Sequence, residues 1–90
     1  MSKRFNTGHR AVVDMPTDPN HEREGPIVKQ SDDDPYAEVW FENERVRYHD
    51  RNLRNTEGER LTRKQIENLQ PVPHRLADGV PPPDDSEYID

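Results

Sequence analysis

Histidine is the side chain best suited to hold a metal or move a proton near neutral pH, and this chain carries four, at positions 9, 21, 49 and 74. None of them falls into a ligating pattern. There is no His-Glu-x-x-His pair, and no cysteine is available to complete a zinc set. His21 reads instead as a strand-edge partner of Glu24, and His49 as the cross-strand neighbour of Glu38. Asp32, Asp33 and Asp34 offer the oxygen donors that calcium prefers, but the glycine and distal glutamate of a calcium loop are missing, so the run reads as a solvated turn. Ser2, Ser31 and Ser86 are the candidate nucleophiles. Each stands in a segment that reads as flexible, and no glycine-rich phosphate loop occurs. The expectation is a non-enzymatic chain with no cofactor and no metal.

What remains is charge and stacking. The net charge is −6, distributed in blocks. Residues 31–50 hold seven acidic and two basic side chains, and residues 76–90 hold five and none. Between them Arg51, Arg54, Arg60, Arg63, Lys64 and Arg75 make a basic waist suited to phosphate contacts. Arg47, Trp40 and Tyr48 could add stacking for a single strand, which makes the segment 45–75 a candidate nucleic-acid binder. The flanking acids favour charged protein partners instead. The sequence Asp-Asp-Ser-Glu-Tyr-Ile-Asp at 84–90 places Tyr88 and Ile89 among carboxylates, the composition of a short linear motif whose apolar residues anchor in a basic-rimmed groove.

Few elements are available to position these residues. From Tyr36 to Phe41 the chain is aromatic, β-branched or small, and Val46 and Tyr48 resume the pattern after a polar break, which predicts a hairpin over about 36–49. A two-residue turn at Asn43-Glu44 would set Phe41 opposite Val46, Trp40 opposite Arg47, Val39 opposite Tyr48 and Glu38 opposite His49. Ala37, Val39, Phe41, Val46 and Tyr48 then share an apolar face. Trp40, Arg45 and Arg47 lie on the other, charged face, the one expected to meet a partner. A further strand is expected at 25–30, and Ala11, Val12 and Val13 have the composition to pair as a short one. Thr62-Arg63-Lys64-Gln65 fits a capping box, with Leu61 and Ile66 at the staple positions, and Pro71 is a stop, so a helix is predicted over 63–70. Ile66 and Leu69 would lie on the hairpin's apolar side. The resulting fold class is small α+β, a two- or three-stranded antiparallel sheet followed by one short helix. An extended arm at 1–24 and a proline-rich acidic tail at 77–90 flank the module at 25–76.

Composition agrees with a thin core. Leu, Ile, Val and Phe make up 16 of 90 residues, against nine prolines and 36% charged residues. No apolar run is long enough to span a bilayer, and no signal-peptide core follows Met1.

The segment His21-Glu22-Arg23-Glu24-Gly25-Pro26-Ile27-Val28 resembles the His-Arg-x-Asp-Gly-Pro-Ala half of a MORN-like repeat found in bacterial and phage proteins. Trp40-Phe41-Glu42-Asn43 is similar to its Trp-Tyr-x-Asn-Gly half, with His49 following. Glu44 stands where the repeat has its turn glycine, Ile27 where it has alanine, and there is no clear second copy. The resemblance implies paired antiparallel strands and a non-enzymatic scaffold. Together with size and layout it suits a bacteriophage accessory protein that docks on a host protein as inhibitor or adaptor. A virion cement or joining protein with lacing arms and a single-strand nucleic-acid binder are the alternatives. The expected location is the host cytoplasm, or the virion for a structural component, with no membrane partner.

Overall fold

The computed structural model describes residues 7–30, 35–56 and 58–81. Six strands form one mixed sheet: β1 (Arg10–Val13), β2 (Glu24–Gln30), β3 (Tyr36–Trp40), β4 (Arg45–His49), β5 (Leu53–Asn55) and β6 (His74–Leu76). A 3-10 turn at Asp50–Asn52 joins β4 to β5, and the one α-helix among the described residues, α1, spans Arg63–Glu67. The strand order is β5-β1-β2-β3-β4-β6, antiparallel except where β6 runs parallel to β4.

This order cannot lie flat. Three strands separate β4 from β5, so a flat sheet would hold them about 19 Å apart at about 4.8 Å per strand. His49 and Leu53 are four Cα steps apart, at most about 15 Å, and the 3-10 turn shortens the path further. The sheet therefore curls into a small, partly open barrel. β2 makes the corner. Its first half, Glu24 to Pro26, pairs with β1, and its second half pairs with β3 across a register irregularity between Ile27 and Lys29. Gly25 stands at that corner because a Cβ there would fall 2.5 Å from the Trp40 carbonyl oxygen.

The interior is lined by Ala11, Val13, Ile27, Ala37, Val39, Phe41, Val46, Tyr48 and Leu53, with Ala77 and Val80 closing one side. Residues 14–22 fold back over it. Glu22, at φ +67, makes the return, and its N–H donates to the Val13 carbonyl at 2.7 Å.

The fold class therefore differs from the expected two- or three-stranded antiparallel sheet. The segment expected as an extended arm supplies β1, which lies between β5 and β2. Leu53–Asn55 and His74–Leu76, three residues each, are too short to show a period-2 pattern, yet both pair in the sheet.

The hairpin forms where expected but in another register. Val39 faces Val46, Ala37 faces Tyr48, Glu38 faces Arg47 and Tyr36 faces His49. The loop is four residues, Phe41 to Glu44, closed by the Phe41 N–H donating to the Glu44 carbonyl at 2.8 Å. A type I′ turn would need positive φ at Asn43 and Glu44, and neither has it.

The capping box is present, with Thr62 Oγ1 accepting from the Gln65 N–H at 3.1 Å and the Gln65 side chain accepting from the Thr62 N–H at 2.8 Å. The helix ends at Glu67 rather than Gln70. It also lies over the hairpin's charged face, not its apolar one. The interior already holds the 14–22 segment, and the Gln70 carbonyl accepts from Trp40 Nε1 on the outside at 3.0 Å.

Candidate functional site

Two polar assemblies arise from this architecture, one inside the barrel and one outside. The inner one gathers side chains from four separated segments. Asp18, on the 14–22 return, is buried, and it accepts from the Tyr48 hydroxyl at 2.8 Å and from Arg75 Nη2 at 3.0 Å. Asn20 donates to Glu44 at 2.8 Å and accepts from Arg23 at 2.8 Å. Arg75 Nε completes the ring by donating to Glu44 at 2.9 Å.

Each group shifts as its surroundings require. Burial pushes the Tyr48 hydroxyl well above its ordinary range, and the Asp18 carboxylate adds to the rise. Burial pulls on Arg75 in the opposite direction, but the hydrogen bonds to Glu44 and Asp18 outweigh it and hold the guanidinium above its usual value. Glu44 is held below its ordinary 4.5, first by the Arg75 hydrogen bond and against the cost of burial.

These bonds make the cluster a cross-link between separated segments. It ties the return loop, the hairpin loop and β6 to the core.

A pH dependence follows. A carboxylate with a depressed folded pKa stabilises the fold above its unfolded value and loses that contribution as pH falls through the folded one. Urea unfolding should give a free energy that Glu44 leaves unchanged above pH 4.5 and that declines below it. In Glu44→Gln the acid decline should be shallower. An identical acid slope in both chains would remove Glu44 from that role.

The outer assembly lies on the face that carries the residues expected to bind a partner. Trp40 and Arg45 are directly opposite each other on β3 and β4, and both are half-buried. Glu38 is 1% exposed and pairs with Arg45 Nε at 2.9 Å. Arg47 is buried, and its guanidinium lies 4.8 Å over the Tyr36 ring. The expectation of an open charged face with Arg47 displayed beside Trp40 is therefore corrected. Segment 61–72 covers part of that face, and Arg47 is packed against Tyr36 rather than displayed.

Cover is incomplete. A recess of about 370 Å³ opens between α1 and the sheet, lined by Val28, Arg45, Ile66, Leu69, Val72 and His74. A second, of about 450 Å³, adjoins it at Val28 and Ile66 and reaches Leu61 and Arg63. Arg45 Nη2 contacts the His74 ring, which places both side chains on the wall of the first recess.

The expected phosphate contacts do not gather on one element. Arg51 is in the 3-10 turn and Arg54 on β5, 3.9 Å from Asp14, while Arg63 and Lys64 are exposed on α1 and Arg60 precedes it. Tyr48, expected as a stacking platform, is fully buried. Tyr88 and Ile89 lie outside the described residues. Among the described residues no group of three or more His, Asp or Glu side chains could hold a metal ion, and no helix is long and apolar enough to cross a membrane.

The inner cluster had no signal in the sequence, since Asp18, Glu44, Tyr48 and Arg75 share no spacing. Val28 and His74, which line the recess, carry no more signal than a strand residue and an isolated histidine. No family model matches the chain, and comparison with curated proteins and with solved structures finds no match.

Proposed function

We propose that this protein is a protein-binding module whose outer face takes an acidic peptide segment of a partner, with an aromatic or aliphatic anchor, into the recess beneath α1. One observation carries the reading. A five-residue helix, too short to hold by itself, sits over the sheet without filling the space below it, and leaves Ile66 and Leu69 half-exposed above Val28. Arg45, Arg63 and His74 line the two adjoining recesses, and Glu67 is the acidic residue among their linings. An apolar floor with a basic rim selects an anionic peptide through its side-chain anchor and excludes a basic one by charge.

A photo-cross-linking residue at Leu69, used in the native cell, tests this. It should join the protein to one partner, within an acidic stretch of that partner. Ile66→Glu should abolish that product and shift unfolding free energy by no more than about 1 kcal/mol, because Ile66 is outside the core. Cross-links to the same partner that survive Ile66→Glu would refute the reading.

A further inference from the structure

The two recesses beneath α1 share a wall. Val28, Ile66 and Glu67 line both, while Arg45 and Leu69 belong to the first alone and Leu61 and Arg63 to the second alone. Ile66 and Val28 therefore stand between two hollows, each with its own apolar lining and its own arginine. Volumes of about 370 and 450 Å³ are at the lower end of the range for ligand sites, room for one anchoring side chain apiece. An extended peptide presents such a pair without strain, because alternate side chains leave the same side of the chain about 7 Å apart. The residue between the anchors then points away from the floor, toward the mouth. Charge at that middle position differs from charge at the two ends. Glu67 is exposed and borders both hollows, whereas Arg45 and Arg63 each border one.

We infer that the bound segment is a two-anchor motif, acidic-apolar-x-apolar-acidic, whose central residue is basic because Glu67 repels a carboxylate there. This rests on the reading of the recess as a peptide site, and it adds which acidic peptides the site takes. Ile66 sets the spacing of the anchors by keeping the hollows apart. Arg45 and Arg63 attract the acidic flanks, and Glu67 sets the charge between them. An unbroken run of carboxylates is disfavoured at that one position, which is how a like charge built into a site gives selectivity.

The test titrates the full chain into fluorescently labelled heptapeptides Asp-Glu-Leu-X-Leu-Glu-Asp, with X either lysine or glutamate, and follows anisotropy. The lysine peptide should bind roughly fivefold more tightly, the effect of one exposed attraction set against one exposed repulsion. In Glu67→Lys the order should reverse. Glu67 is exposed and outside the core, so the melt of that variant should match the parent's. Replacing either leucine of the peptide by serine should weaken binding to the parent roughly tenfold. Equal affinity for the two central residues, a lysine preference that survives Glu67→Lys, or a one-leucine peptide as tight as the two-leucine one would overturn the inference. Those results leave the peptide-site reading standing when Ile66→Glu abolishes heptapeptide binding. Binding that Ile66→Glu does not weaken, or no binding by any heptapeptide, overturns the reading and the inference with it.

Discussion

Replacing Arg75 with methionine should destabilise the protein by about 3–5 kcal/mol, because it strips the counter-charge from a carboxylate that has no access to water. The Asp18 side chain is 2% exposed and has Arg75 Nη2 at 3.0 Å. Without the guanidinium, Asp18 keeps only the Tyr48 hydroxyl and a backbone N–H as donors, and Glu44 loses its strongest one. A chain of this size has a total stability on the order of 5–13 kcal/mol, so the loss is a large share of it. Urea unfolding followed by far-UV circular dichroism measures it directly. The double variant Asp18→Asn/Arg75→Met should recover part of the loss, since the neutral amide no longer needs a cation. A single Arg75→Met variant within about 1 kcal/mol of the parent would show that the cluster does not hold the barrel together.

Val39→Asp should have the larger effect and abolish cooperative folding. Val39 is fully buried on β3, opposite Ile27 on one side and Val46 on the other. A carboxylate there has no cation within the apolar lining, and ionised or neutral it costs more than about 4 kcal/mol. The expected result is a collapsed amide spectrum and no sigmoidal melt. The apolar face is shared by only a handful of side chains, so a cooperative melt retained in Val39→Asp would mean that the interior is elsewhere.

That face was legible in the sequence even though the register was not. The observed pairing sets Val39 against Val46 instead of Tyr48, a change of two positions in the partner. A shift of two preserves which side each residue points to, so Ala37, Val39, Phe41, Val46 and Tyr48 are all interior. The capping box at Thr62 and Gln65 was equally legible, because it depends on four consecutive residues. What failed to show was everything set by distant partners. β5 and β6 become strands by pairing with β1 and β4, not by a pattern of their own. The helix takes the outer face because the 14–22 segment fills the inner one. Glu38, expected as a cross-strand partner of His49, is instead buried and paired with Arg45, a placement that the hairpin's own pattern does not specify.

The pairing of β1 with β5 has a kinetic consequence. Ala11 pairs with Asn55, positions 44 apart in the chain, while β3 and β4 are joined by a four-residue loop. The hairpin can assemble on its own in microseconds, but the β1–β5 ladder must first overcome the entropy of closing nearly half the chain. The protein should therefore fold slowly for its length, with the hairpin formed early and the β1–β5 seam formed last. Substitutions at Val39 or Val46 would then slow folding, whereas those at Ala11 or Leu53 would chiefly speed unfolding.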